Sequence, residues 1–187
     1  MTGDGDASNA RYPFRVRFLH WLMAAIILGM ILVGFLMVRV LPDELPAKFE
    51  LLYPYHKSFG ILVLILVAVR LIVRRGAKLP GLPLALAPWE RQLAKVAHVL
   101  LYALMIVVPL LGYGLSSSFS KSDGIYFFGV YLPELLSKND ARFTVLDWLH
   151  TVGAYTLLGL IVLHAAGAIK HRFIDRDTRA EVLTRML

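Results

Sequence analysis

The sequence of 187 residues contains no cysteine. This absence excludes disulfide bonds, thiolate metal sites, iron–sulfur clusters and covalent haem attachment through a C-x-x-C-H motif. Charged residues are also scarce, because they make up only 18% of the chain. Hydrophobic residues make up 58% and the mean hydropathy is +0.65. A soluble domain is usually about 45–50% apolar, so this composition indicates a membrane protein.

Four long apolar runs account for this hydropathy. Each is close to the roughly 20 residues that a helix needs to cross about 30 Å of hydrocarbon. They predict one all-α domain over residues 1–187, an integral membrane four-helix bundle. The predicted spans are residues 18–40, 55–73, 96–115 and 145–169.

The basic residues predict the orientation of the spans. Fourteen of the 20 Lys and Arg residues lie in the two terminal segments, in the last turn of the second span or in the loop between the second and third spans. Positive residues are retained on the cytoplasmic side, so both termini are expected to be cytoplasmic. The polar, partly acidic segment before the first span is interpreted as an uncleaved tail, not a signal peptide. This distribution explains the net charge of +7 without nucleic-acid binding.

The loops on the opposite side differ in length. Residues 41–54 form a short connection, whereas residues 116–144 are longer and contain GIYFFGVYLPELL. This aromatic, amphipathic stretch is typical of an interfacial belt of Tyr and Phe. It is also compatible with a lid or substrate-binding surface over a site below.

The fourth span carries the phrase Leu-His-x-x-Gly-Ala twice, beginning at Leu149 and Leu163. His150 and His164 are therefore 14 residues apart. On a helix the second lies about 40° round from the first and about 21 Å along the axis. Imidazoles inside a bilayer are costly and usually functional. One helix is thus predicted to present two nitrogen ligands on one face, at two depths.

Two further histidines match these depths. His20 lies in the first turns of span one at inner depth, and His56 begins span two at outer depth. Depth therefore pairs His20 with His164 and His56 with His150. Two imidazoles that face each other across a flat macrocycle make a six-coordinate haem iron. Depth therefore predicts two haem groups, one at each level.

The other two histidines have different expected roles. His98 lies near the inner start of span three and competes with His20 as the inner ligand. It can alternatively bond a haem propionate or a quinone carbonyl. His171 lies past the bilayer core in KHRF and is expected to be solvated.

Glycines and arginines near these histidines are further candidates for cofactor contacts. Gly60, Gly153 and Gly167 lie three or four residues after a histidine, where the absent Cβ lets a planar ring approach the helix. The alternative is ordinary packing of small residues between membrane helices. Arg17 and Arg70 lie at inner depth, where a cation can bind a propionate. The alternative for both is a snorkelling charge.

These motifs resemble the bacterial cytochrome b561 family over about residues 11–177. The resemblance rests on RFLHW at 17–21, YHKSFGILVL at 55–64, AHVLLY at 97–102, and LHTVGAY through LHAAGAIKHRFID. It implies a multi-pass, dihaem b-type cytochrome of the bacterial inner membrane. It implies haem ligands at His20, His56, His150 and His164, and it makes His98 a motif position without an assured ligand role.

The resemblance also implies electron transfer between an outer-face donor and membrane ubiquinone. One branch of the family is a superoxide:ubiquinone oxidoreductase, and Lys57, beside His56, is then a candidate for steering superoxide inward. The phrases KHRFID and FFGVYLPEL are closer to a sister branch whose donor is less well defined.

Two other functions are compatible with the residues. The chain can be a haem-bearing membrane anchor for a soluble or periplasmic redox partner, without catalysis of its own, and the outer loop can be the docking face. A transporter with a histidine proton relay is the other alternative. The lack of intramembrane acids and of clear inverted repeats argues against it.

Overall fold

The computed structural model describes residues 11–83, 85–122, 124–175 and 180–187. Four helices form the body of the chain: α1 (Phe14–Phe35), α2 (Tyr53–Arg75), α3 (Pro88–Ser118) and α4 (Asp140–Phe173). Short π-helical segments, Leu36–Val40 and Lys48–Leu52, extend α1 and precede α2. Two short strands, β1 (Ile125–Phe127) and β2 (Val130–Leu132), form an antiparallel hairpin between α3 and α4.

Helices α2, α3 and α4 are longer than the predicted apolar spans, because polar caps and prolines begin them outside the apolar runs. Pro88 occupies the first turn of α3, where its missing N–H leaves no partner unsatisfied. The carboxylate of Glu90 accepts a hydrogen bond from the backbone N–H of Ala87 at 3.1 Å. At the start of α4, the side chain of Asn139 accepts a hydrogen bond from the N–H of Arg142 at 2.9 Å.

The distribution of apolar side chains is that of a membrane bundle. All four helices, taken with their π-helical segments, are long and apolar enough to cross a membrane. Large apolar side chains also cover the outside, where Ile72 is 68% exposed and Leu163 is 69% exposed. The predicted fold class is therefore confirmed. A buried cluster contributed by all four helices forms the centre: Met23, Ile27, Val63, Val67, Leu101 and Leu157.

The first and last described segments of the chain meet at one end of the bundle. The N–H of Tyr12 donates to the carbonyl of Arg185 at 2.9 Å, and the indole N–H of Trp21 donates to the carbonyl of Met186 at 2.8 Å. Arg185 in turn donates to the carbonyl of Gly81 in the α2–α3 loop at 2.9 Å. This arrangement agrees with an even number of crossings. The cytoplasmic location of this end remains a prediction.

The aromatic stretch after α3 folds as a hairpin that covers the outer end of α2. Phe128 and Gly129 form its turn with φ values of 43° and 102°, a conformation that suits the twist of a tight hairpin. The fully buried hydroxyl of Ser58 fastens the hairpin to α2, because it lies 3.1 Å from the carbonyl of Tyr126 and accepts from the N–H of Phe128 at 3.2 Å. The strands are an addition to the predicted all-helical fold.

Close packing of α3 on α4 depends on Gly153. A Cβ at this position would lie 2.9 Å from Cγ2 of Val108, which is closer than real Cβ contacts. The structure thus gives Gly153 a role in helix packing, one of the two interpretations that the sequence allows. At Gly167, further along α4, a Cβ would meet nothing within 4 Å.

We expect Gly153→Ala to be less stable than Gly167→Ala by about 1–3 kcal/mol, the usual cost of overpacking a close contact. Both changes gain the same helix propensity, about 1 kcal/mol, so their difference isolates the contact with Val108. Thermal unfolding of both variants in detergent, followed by circular dichroism, measures it. Equal stability of the two variants would contradict this account of the α3–α4 contact.

Candidate functional site

We call the end of the bundle where the first and last described segments meet the inner end and the opposite end the outer end. The outer pair of imidazoles lies between α2 and α4. The ring centroids of His56 and His150 are 6.3 Å apart, with ring planes inclined by 77°. Both rings line a cavity of about 560 Å³ in the outer half of the bundle. Two imidazoles that bind one metal ion from opposite sides, through bonds of about 2 Å, have centroids about 6 Å apart. The outer pair therefore fits axial ligation of a haem iron.

A backbone carbonyl orients the ring of His150. Its Nδ1 lies 2.9 Å from the carbonyl oxygen of Val108 on α3. The carbonyl can only accept, so Nδ1 carries the proton and Nε2 keeps its lone pair for a metal. The Nδ1 of His56 is also buried, but it has no hydrogen-bond partner in the described part of the chain.

Two glycines on neighbouring helices make room for these rings. A Cβ at Gly112 on α3 would lie 3.0 Å from Cε1 and 3.1 Å from Nδ1 of His150, and a Cβ at Gly34 on α1 would lie 3.4 Å from Cε1 of His56. Gly60 lines the same cavity, and a Cβ there would lie 3.7 Å from the methyl group of Met30. The outer site therefore depends on glycines contributed by three helices.

The inner pair of imidazoles lies between α1 and α4. The ring centroids of His20 and His164 are 6.2 Å apart, and the ring planes are inclined by 72°. This separation matches the outer pair, so the inner pair fits axial ligation equally well. The ring of His98 on α3 is also near, with its centroid 5.2 Å from that of His164. That distance is shorter than expected for two ligands of one iron, and His98 is exposed on the outside of the bundle.

The guanidinium of Arg70 joins three helices beside the inner pair. Arg70 is only 7% exposed. Its Nη1 donates to the carbonyl of Val16 at 3.0 Å, and its Nε donates to the hydroxyl of Tyr102 at 3.0 Å. Its Nη2 lies 3.4 Å from Nδ1 of His20. Arg70 is therefore a buried charge within the bundle, unlike the snorkelling alternative.

Arg17 lies one helical turn before His20, at the inner end of α1. Its Nη1 donates to the carbonyl of Leu187, and its Nε is buried without a hydrogen-bond partner in the described part of the chain. Propionate binding by Arg17 and Arg70 remains a prediction. Among the described residues nothing accepts from Nε of Arg17, whereas all three side-chain nitrogens of Arg70 already contact protein atoms.

Charged groups surround the mouth of the outer cavity. Lys57 lines the cavity, and its ammonium donates to the carbonyl of Gly124 at 3.0 Å, so it also anchors the loop before the hairpin. Arg39, Lys121 and Asp147 line the same cavity and are exposed. The cations that line the cavity outnumber the acid, so the cavity lining itself carries net positive charge.

His171 is not solvated as expected, because the end of α4 turns it toward an acidic neighbour. Its Nδ1 lies 2.5 Å from Oδ2 of Asp175, and its side chain is 12% exposed. This hydrogen bond and the ammonium of Lys170 hold the pKa of Asp175 below its usual range. His171, Asp175 and Glu90 offer ligand atoms within 4.8 Å of one another. Lys170 compensates part of the negative charge of this cluster, because its Nζ lies 2.8 Å from Glu90 and 3.0 Å from Asp175.

Sequence reasoning missed the glycines that contact the rings. Gly34 and Gly112 belong to helices other than those of the histidines they touch, and the search for glycine three or four residues after a histidine stays within one helix. Depth is the signal that identifies them, since both lie near the outer ends of their spans. Depth also places Asp147 at the outer site, one turn before His150.

Comparison with known proteins gives consistent matches over most of the chain. The family described as Prokaryotic cytochrome b561 matches residues 11–186. Cytochrome b561 homolog 2 of Escherichia coli (strain K12) is 32% identical over 178 residues, which cover 95% of this chain and 91% of that protein. Cytochrome b561 homolog 1 of the same organism is 28% identical over 122 residues, which cover 65% of this chain and 68% of that protein. The Probable superoxide oxidase CybB of Yersinia pestis is 26% identical over 122 residues, with the same coverage.

We expect Gly112→Ala to weaken haem binding at the outer pair, because the new methyl group pushes the His150 ring away from the Val108 carbonyl. Gly159→Ala is the matched control, since a Cβ there meets nothing within 4 Å. The haem content per chain after purification, measured by the pyridine haemochrome assay, is expected to fall only in Gly112→Ala. Full haem content and an unchanged spectrum in this variant would show that His150 does not need its observed position.

Proposed function

Because the chain belongs to the prokaryotic cytochrome b561 family, we propose that it moves electrons between an outer-face donor and quinone through two haem b groups. Members of this family are multi-pass proteins of the bacterial inner membrane that transfer electrons through haem b. The proposal adds the number of haems, their ligands and the identity of the electron acceptor. His56 and His150 hold the outer haem, and His20 and His164 hold the inner one.

The agreement between the two imidazole pairs is the observation that carries this proposal. Their centroid separations of 6.3 Å and 6.2 Å differ by less than the spread expected from metal–nitrogen bonds. Each pair joins α4 to a different helix at a different depth. If the histidines only stabilised the bundle, the same ring-centroid separation would not be expected at two levels.

Haem b, when bound, supplies a carrier for one electron at each level. The residues of the protein orient the ligand rings and leave room for them. Val108 fixes the proton of His150 on Nδ1, which leaves Nε2 to the metal. Gly34 and Gly112 leave room for the ligand rings, and the hairpin anchored on Ser58 covers the outer end of α2.

His98 is the residue that supports a quinone site on the inner side. Its ring is exposed on the outside of the bundle, where a membrane-soluble quinone arrives, and it contacts the ring of His164. An imidazole there can donate a hydrogen bond to a quinone carbonyl and pass on a proton. Reduction of one quinone to quinol takes two electrons and two protons.

Superoxide is the donor that the outer cations support. Two superoxide ions lose one electron each and become dioxygen, and these two electrons reduce one quinone. Lys57, Arg39 and Lys121 line the cavity that contains the outer histidines, and they attract an anion toward it. A relative with 26% identity carries the name Probable superoxide oxidase CybB.

A second candidate function is a haem-bearing anchor that receives electrons from a periplasmic protein. It is favoured by the exposed apolar residues of the outer segment, since Tyr131 is 63% exposed and Leu135 is 71% exposed. Such residues are enriched where proteins dock. Co-purification of a redox protein, together with no superoxide-driven turnover by the isolated chain, would favour the anchor over the oxidoreductase.

We expect His56→Ala and His20→Ala each to remove one of the two haems, because each variant lacks one axial ligand of one pair. His171→Ala is the control, since His171 bonds Asp175 and lies outside both pairs. Haem content and the reduced-minus-oxidised visible spectrum measure the outcome. A folded parent chain without haem, or haem content that none of these changes alters, would contradict the proposal.

We expect Lys57→Glu to slow superoxide-driven quinone reduction by about tenfold at low salt, with the difference shrinking as salt rises. Lys57→Gln removes the charge without reversing it. It therefore separates the loss of the positive charge from the effect of a new negative charge. Lys138→Glu is the control, because Lys138 pairs with Glu134 in the outer loop and does not line the cavity. Unchanged rate and salt dependence in Lys57→Glu would exclude steering by this residue.

A further inference from the structure

Arg70 is a charge buried in the inner half of the bundle. Its guanidinium stays protonated at any accessible pH, and the residue is 7% exposed. Burying a charge in a membrane-spanning helix is costly, and such residues usually serve a function. Its place beside the inner imidazole pair indicates what that function is.

All observed partners of Arg70 are neutral. They are the carbonyl of Val16, the hydroxyl of Tyr102 and the ring of His20. In the described part of the chain, Arg70 forms no ion pair with a carboxylate. No carboxylate of the described residues therefore cancels its positive charge, and its field acts on the neighbouring imidazoles with little screening by water.

The groups that face the ring nitrogens differ between the two pairs: a hydrogen-bond acceptor faces the outer ring of His150, and a cation faces the inner ring of His20. At the outer level, Nδ1 of His150 faces a carbonyl oxygen at 2.9 Å, a partner that makes the ring a stronger donor to a metal. At the inner level, Nδ1 of His20 faces the Arg70 guanidinium at 3.4 Å. The guanidinium can only donate, so this contact places a hydrogen-bond donor and a positive charge beside the His20 ring.

We propose that Arg70 is a positioning residue that raises the reduction potential at the inner haem level and so directs electrons inward from the outer level. The inference rests on the proposed function, because it concerns haems held by the two pairs. Reduction lowers the charge of a haem iron by one unit, so a fixed positive charge nearby favours the reduced form.

Spectroelectrochemical titration of the haem-loaded chain tests the inference, with potential as the readout instead of turnover. Arg70→Gln removes the charge, and Arg70→Lys keeps a charge at the same position. Arg75→Gln removes an exposed arginine from the same end of α2 and is the matched control. Tyr102→Phe removes one anchor of the guanidinium but no charge, which separates charge from structural support. In the His150→Ala background only the inner haem is expected to remain. The single redox wave of that variant therefore identifies the inner haem.

The expected result is a lower inner potential in Arg70→Gln, with only small shifts in Arg70→Lys, Arg75→Gln and Tyr102→Phe. An unchanged inner potential in Arg70→Gln, or an equal fall in Arg75→Gln, would overturn the inference. A second measurement needs no substitution at position 70: in the parent chain, the inner wave is expected above the outer wave, and the reverse order would also overturn it. Absence of haem from the folded parent would instead refute the proposed function.

Discussion

The arrangement of the bundle depends on the need to pair imidazole nitrogens inside a membrane. Helix α4 presents His150 and His164 on one face, and neither can remain without a partner in an apolar environment at low cost. Helix α2 supplies His56 at the outer level, and α1 supplies His20 at the inner level. Two pairs at two depths fix the positions of three helices relative to one another.

Helix α3 provides no member of either pair, yet it controls both levels. Its Val108 carbonyl orients one outer ligand, its Gly112 leaves space for that ring, and its Tyr102 holds the guanidinium that lies against an inner ligand. The close approach of α3 to α4 at Gly153 brings these groups within reach. Helix α3 therefore contributes to the different surroundings of the two pairs without supplying a histidine to either pair.

The spans and the pairing of histidines could be predicted from the sequence because hydropathy sets depth, and depth brings residues of different helices to one level. The hairpin could not be predicted, since each strand has only three residues and the turn places Phe128 at positive φ. The glycines that contact the rings belong to other helices, so spacing along one helix does not find them. The neutral environment of Arg70 depends on three helices meeting, which a sequence pattern does not reveal.

The ligand geometry itself can be observed by low-temperature electron paramagnetic resonance of the purified, oxidised chain. The ring planes are inclined by 77° in the outer pair and 72° in the inner pair, close to perpendicular. Two low-spin signals of the strongly anisotropic type that near-perpendicular imidazoles produce, one for each site, are the expected result. A high-spin signal from either site, or a well-folded chain without a haem signal, would contradict ligation by the two pairs.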